Sequence, residues 1–193
     1  VRNMRTLSAM LVGMTVATGG ILVAGLTQNG WVLILGIIFF SLGEMLTGPK
    51  KNEYLGLIAP PGKKGLYLGY VNIPVGIGGF IGSKLAGHVY GNYGDKAVLA
   101  QKHLLLETEL GAGKNWDGSL DTLEAALGVA RPDAFARLME VTGLDPVQAT
   151  QLLWDTYQPQ YYVWLPFAAI GVVAVFALAI FGQMAKRWKD MNA

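Results

Sequence analysis

The chain has 193 residues, 52% of them hydrophobic and only 15% charged, with 26 glycines, no cysteine and a formal charge of +2. Soluble domains carry about a quarter charged residues, so the composition argues against a disordered chain, a coiled coil or an ordinary soluble enzyme. The absence of cysteine removes disulfide, thiolate-zinc and Cys-nucleophile chemistry, and the spread of the basic residues along the chain argues against a nucleic-acid surface.

What remains is an all-α integral membrane protein, and four stretches are long enough to cross a bilayer core, which needs about 20 apolar helical residues. The first, about 7–26, has no charge; its Thr15 and Thr18 read as hydroxyls bonded back to the preceding turn. A signal peptide is the rival reading, but the run is too long and no small-residue cleavage site follows. After the turn Thr27-Gln28-Asn29-Gly30 comes the second span, 31–49 with a possible continuation to 58. It contains Glu44 and the pair Gly48-Pro49, and Glu53 beside Lys50 and Lys51 reads as a salt-bridge residue. The third, 66–90, is glycine-rich and holds Asn72, Pro74 and Lys84. In it Gly78 and Gly82, then Ser83 and Gly87, form small-xxx-small pairs suited to close helix packing in lipid. His88 at its outer end reads as an interface residue, with a proton relay as the alternative.

Residues 92–160 are too long for a structureless loop and carry helix punctuation. Asp121 with Glu124 predicts a capping box, and Asp145-Pro146 with Gln148 predicts another. Arg131-Pro132-Asp133 opens a short periodic stretch through Phe135, Leu138 and Met139. Gly111-Ala112-Gly113-Lys114 imitates a phosphate loop but lacks the first glycine, at Thr108, and the hydroxyl, at Asn115. The last span begins at Tyr161 and ends near Met184, followed by a basic tail to residue 193. Trp31, Tyr161, Tyr162 and Trp164 stand where interface aromatics belong.

Orientation follows from the basic flanks, since cytoplasmic loops retain Lys and Arg. Arg2, Arg5, Lys50, Lys51, Lys63, Lys64, Lys186, Arg187 and Lys189 all fall on one side. The 92–160 segment is net negative, with ten acids and five bases. Both termini are therefore expected in the cytoplasm of a multi-pass cell-membrane protein, with the insert external.

Ionisable side chains inside spans are costly and are functional-site candidates by default. Glu44 lies about 20 Å down its helix from Trp31 at 1.5 Å per residue. It either binds a substrate ammonium or carries a proton, or serves as a structural hydrogen-bond partner. Lys84 is close enough to the outer interface to snorkel. Asn72, Pro74, Gly48 and Pro49 mark backbone that is bent or unpaired, as in cavity-lining transporter helices. No Ser/His/acid set or metal cluster appears, so neither catalysis nor a cofactor is expected.

The run Ser41-Leu42-Gly43-Glu44-Met45-Leu46-Thr47-Gly48-Pro49, then Ile58-Ala59-Pro60, a basic turn and Gly65-Leu66-Tyr67, resembles the tenth span and following loop of proton-dependent oligopeptide transporters in the major facilitator superfamily. The likeness extends to Gly82-x-x-Leu85-Ala86-Gly87 and covers about 50 residues. It implies that the four spans are the last four of twelve in a major-facilitator-type bundle, and that Glu44 matches the acid contacting a peptide's amino terminus. It also implies a fragment of a longer transporter, since alternating access rocks two six-span halves around a midplane site. The partners are then lipid, the remaining transmembrane helices, a small solute and a proton. The rival is a four-span scaffold or assembly factor that binds a partner through its insert.

Overall fold

The structure is a computed structural model that describes residues 5–185. The basic residues Arg2, Lys186, Arg187 and Lys189 used for orientation lie outside the described residues. Within them the chain is helical throughout, with no strand. Four helical stretches are long and apolar enough to span a membrane: Thr6–Gly25, Gly30–Ile58, Lys64–Leu106 and Pro159–Ala185. The third is interrupted at Gly94-Asp95, and its part from Lys96 on buries Val98, Leu99 and Leu104 in the insert's core, so only the part before the interruption is read as a span. The chain is a helical multi-pass membrane protein. Two compact units divide it, one comprising Val1–Gly82 with Trp164–Ala193, the other Ser83–Val163.

In the first unit α1 (Thr6–Gly25) and α2 (Gly30–Ile58) form an antiparallel hairpin. Asn29 closes the turn, its side chain accepting hydrogen bonds from the amides of Trp31 at 2.9 Å and Val32 at 3.4 Å. The two helices meet backbone to backbone along a seam of small residues. A Cβ built on Gly20 would lie 2.5 Å from the Phe40 amide nitrogen and 2.8 Å from the Gly36 carbonyl oxygen. One on Gly36 would lie 2.5 Å from the amide nitrogen of Ala24. Gly13 and Gly43 close the seam against each other's turns, with Thr47 and Ala17 alongside. Lipid offers no hydrophobic drive for helices to pair, so close approach that maximises dispersion is what holds such a hairpin.

The Thr15 and Thr18 hydroxyls donate to the carbonyls of Leu11 and Met14, each at 2.8 Å, as their sequence setting predicts. At the hairpin's open end Glu53 accepts from Lys50 Nζ at 2.6 Å and from the Thr6 hydroxyl at 3.2 Å, the expected salt bridge with a tie to α1 added. Helix α9 (Pro159–Ala185) packs on the hairpin through Gly171 against Thr18, Trp164 against Gly25, and an edge-on contact of Phe181 with Tyr54 at 6.2 Å. Outward-facing apolar side chains such as Ile37, Ile81, Val173 and Phe176 are more than half exposed. Such a surface is stable only in lipid or under protein.

Helix α2 continues unbroken past Pro49 to Ile58, the longer of the two extents expected. The 66–90 span is broken beside Asn72 and Pro74, where the sequence marked bent or unpaired backbone. Helix α3 (Lys64–Tyr70) and α4 (Asn72–Tyr93) meet at Val71. Pro74 explains the break: it has no N–H for the Tyr70 carbonyl, and its ring would collide with that carbonyl in a continuous helix. In the first turn of α4 its missing donor has no cost.

The second unit is built on the helical insert, with α5 (Lys96–Leu106), α6 (Leu120–Leu127), α7 (Ala134–Thr142) and α8 (Pro146–Tyr157). Leu104, Leu123, Leu127 and Leu138 are fully buried in a core shared with Leu99, Ala134, Ala149 and Leu153. Each buried leucine is worth roughly 1.5–3 kcal/mol of transfer free energy. Phe135 and Met139 pack on this core as their periodicity predicts.

Asp145 makes the expected capping box, accepting from the amides of Val147 and Gln148 while Gln148 accepts from the Asp145 amide. The other predicted box is corrected. The cap of α6 is Ser119, accepting from the Asp121 amide at 3.3 Å, and Glu124 instead accepts from the Arg131 amide at 3.2 Å. An Asx turn, in which the Ser119 amide donates to Asp117, sets the helix start two residues earlier than the charge pattern indicated. The phosphate-loop imitation has a structural role. Lys114 donates to the Leu127 carbonyl at 2.6 Å, capping the C-terminus of α6, and Gly111 abuts the Leu105 backbone.

Candidate functional site

Glu44 is the middle residue of α2, fourteen positions from each end. That places it about 21 Å from either terminus of the helix. Its rotation about the helix axis is fixed by its neighbour. Gly43 is locked into the seam against Ala17 and the Gly13 carbonyl, so Glu44, a further 100° around, lies beside the seam rather than in it and is exposed. Among the described residues its carboxylate has neither a hydrogen bond nor an ion pair.

At intervals of three and four residues, Ser41, Glu44, Gly48 and Lys51 share one face of α2. Gly48 has open space where a Cβ would stand, leaving room beside the carboxylate one turn away. Pro49 lies inside α2 and cannot donate to the Met45 carbonyl. The mid-helix therefore offers a carboxylate and a neighbouring backbone acceptor on one turn, a pairing of acceptors that suits an ammonium group or a proton.

Asn72 is the first residue of α4 and is exposed. Lys84 is exposed. Pro74 acts where it was expected to, at the break. Gly78, Gly82 and Gly87 have nothing among the described residues within 4 Å of a built Cβ. Among the described residues no helix packs on them, while the α1–α2 pair uses Gly13, Gly20, Gly36 and Gly43. His88 is exposed and held locally, the Asn92 side-chain amide donating to its carbonyl at 2.8 Å.

The seam glycines were missed by sequence reasoning, although a signal was present. Gly13 and Gly20, and Gly36 and Gly43, are each seven apart, the repeat that returns a residue to the same helix face. Their functional weight is indirect: they determine which way Glu44 points.

No family model, curated protein or solved structure matches the chain.

Proposed function

We propose that this chain is the C-terminal portion of a secondary active transporter, a proton-coupled symporter of small solutes such as oligopeptides in the cell membrane, with both termini cytoplasmic. The carrying observation is Glu44: a carboxylate at the midpoint of a membrane-length helix, exposed beside the hairpin seam and without a partner among the described residues. A charge at that depth must face protein or a water-filled cavity. The local resemblance to the tenth span of the peptide-transporter branch supports the same assignment, with Glu44 receiving the substrate amine or the proton.

The uncovered glycines of α4 support a major-facilitator-type bundle in which further transmembrane helices pack there. The helix break at Val71 and Pro49 inside α2 are features that line substrate paths in transporters. Asn72 and Lys84 serve this reading as secondary polar positions on the solute path, and Gly48, Pro49 and Pro74 as its hinges. The scaffold reading draws on one observation, that the insert forms a compact unit with its own core. Reading the coding sequence upstream of Val1 separates the two. Eight further hydrophobic segments in frame support the transporter, and an immediate stop codon with a ribosome-binding site supports the scaffold.

A further inference from the structure

We propose that His103 is a proton sensor of the insert: its protonation releases Tyr157 and the last turn of α8 from α5. His103 sits on the buried face of α5, only 8% exposed. The Tyr157 ring stands edge-on to it at 6.1 Å between centroids. His103 Nδ1 and the Tyr157 hydroxyl are both buried with no hydrogen-bond partner. A neutral imidazole tolerates that site. An imidazolium would bury a charge and an N–H with nothing to accept it, and burying an unpaired charge is among the costliest changes a core can suffer.

Compensation is weak. Just past α5 Glu107, one turn on, is the acid that favours the charged form, but it is exposed to solvent. On α5 itself Lys102 is turned to the Asn92 carbonyl at 2.7 Å and Lys96 lies over the Phe135 ring. From α8 the facing titratable group is Tyr157, while Asp155 is exposed and bonded to Gln151. Helices α6 and α7 bring Leu123, Leu127, Ala134 and Leu138 to the shared core. Their charges Asp121, Glu124, Arg137 and Glu140 stay out of it, the last two paired with each other. Of the 3₁₀ turns beside α5, Glu109 and Asp133 are exposed and Arg131 is paired with Asp95.

Burial accordingly holds the His103 imidazole below its ordinary range, with Glu107 pulling weakly the other way. Tyr157 is pushed up to about 12 by burial and by Glu107, so it remains neutral wherever His103 titrates. The contact also ends at a sprung joint. Gln158, next to Tyr157, adopts φ 46°, the one positive-φ residue other than glycine among the described residues. A left-handed glutamine is held only by its surroundings, and losing the Tyr157 contact frees it. This switch belongs to the insert's own core and holds whether or not the chain transports a solute.

A lowered folded pKa means that the stabilisation is complete above pH about 6.5 and is lost as pH falls toward the folded value. The test is hydrogen exchange of the α8 amides in the whole chain in lipid nanodiscs, as protection factors corrected for intrinsic exchange, from pH 7.5 to 5. Protection should fall with acidification by up to about tenfold per unit of pKa lowering, and His103→Gln should flatten the dependence. Unchanged protection in the native chain, or an equal pH response in His103→Gln, overturns the proposal. Should His103→Gln fail to fold, NMR titration of His103 in the native chain decides. A His103 midpoint below 6.5 supports the sensor, and one at or above it refutes it.

Discussion

Adjacent glycines on α1 provide a controlled test of the hairpin seam. A Cβ on Gly20 would sit 2.5 Å from the Phe40 amide nitrogen, 2.8 Å from the Gly36 carbonyl oxygen and 2.9 Å from the Phe40 Cα, all backbone atoms that cannot rotate aside. Ordinary contacts lie near 3.5–4.0 Å, so Gly20→Ala must push α2 away by roughly 1 Å. A gap of 0.5–1 Å already forfeits a quarter to a half of each dispersion contact, and overpacking of this kind costs about 1–3 kcal/mol. Gly19, one residue earlier, has nothing within 4 Å. Gly19→Ala collects the same helix-propensity gain, up to about 1 kcal/mol, with no clash, so the difference between the variants isolates packing. In detergent-denaturant titrations of the whole chain, Gly20→Ala should be less stable than Gly19→Ala by about 1–3 kcal/mol. Equal stabilities would refute the seam, and with it the argument for the direction Glu44 faces.

Three further expectations concern caps, the helix break and acid stability. Asp145→Ala should destabilise the insert by about 1 kcal/mol, read as faster hydrogen exchange in the first turn of α8. For α6 the same assay should respond to Ser119→Ala and be nearly silent to Asp121→Ala. Pro74→Ala should let residue 74 donate to the Tyr70 carbonyl and fuse α3 with α4, visible as new protection of that amide; continued rapid exchange at Val71 and residue 74 would place the cause of the break elsewhere. Burial raises the Asp95 carboxyl, but Arg131 at 2.5 Å and the amides of Val98 and Ala97 outweigh it and hold the group below the ordinary carboxylate range. That stabilisation is present above pH about 4 and lost as pH falls further through the lowered value. Asp95→Asn should remove this part of the insert's acid sensitivity, measured by its thermal midpoint from pH 5 to 2.5.

Much of the architecture was legible because bilayer crossing is a demand on length and polarity that a sequence displays directly. The uncharged run at 7–26 became Thr6–Gly25, and the extension of α2 to Ile58 was among the stated options. Local chemistry was legible where one side chain meets one backbone group, as at Asp145, Thr15 and Thr18. Reading failed where the partner is set by packing or by a turn. Pro74 was recognised as a disturbance, but the break at Val71 needed the position of the Tyr70 carbonyl. Asp121 and Glu124 had the spacing of a box, yet the Asx turn at Asp117 had already chosen Ser119. The seam between Gly13, Gly20, Gly36 and Gly43 went unread. Small residues permit close approach without naming the helix that approaches. Glu44 itself was visible as an isolated intramembrane acid, but the face it occupies follows only from Gly43 being locked in the seam.

The central claim is the proposal that Glu44 receives a proton or a substrate amine, and the direct measurement is proton-driven uptake by the complete protein carrying Glu44→Gln. The substitution keeps size and hydrogen bonding but removes the charge and the titratable proton. Di- and tripeptide uptake into proteoliposomes under an imposed proton gradient should be abolished, or should persist only as exchange that no longer responds to the gradient, with the protein folded and inserted as before. Uptake unchanged in rate and in its dependence on the gradient would contradict the assignment.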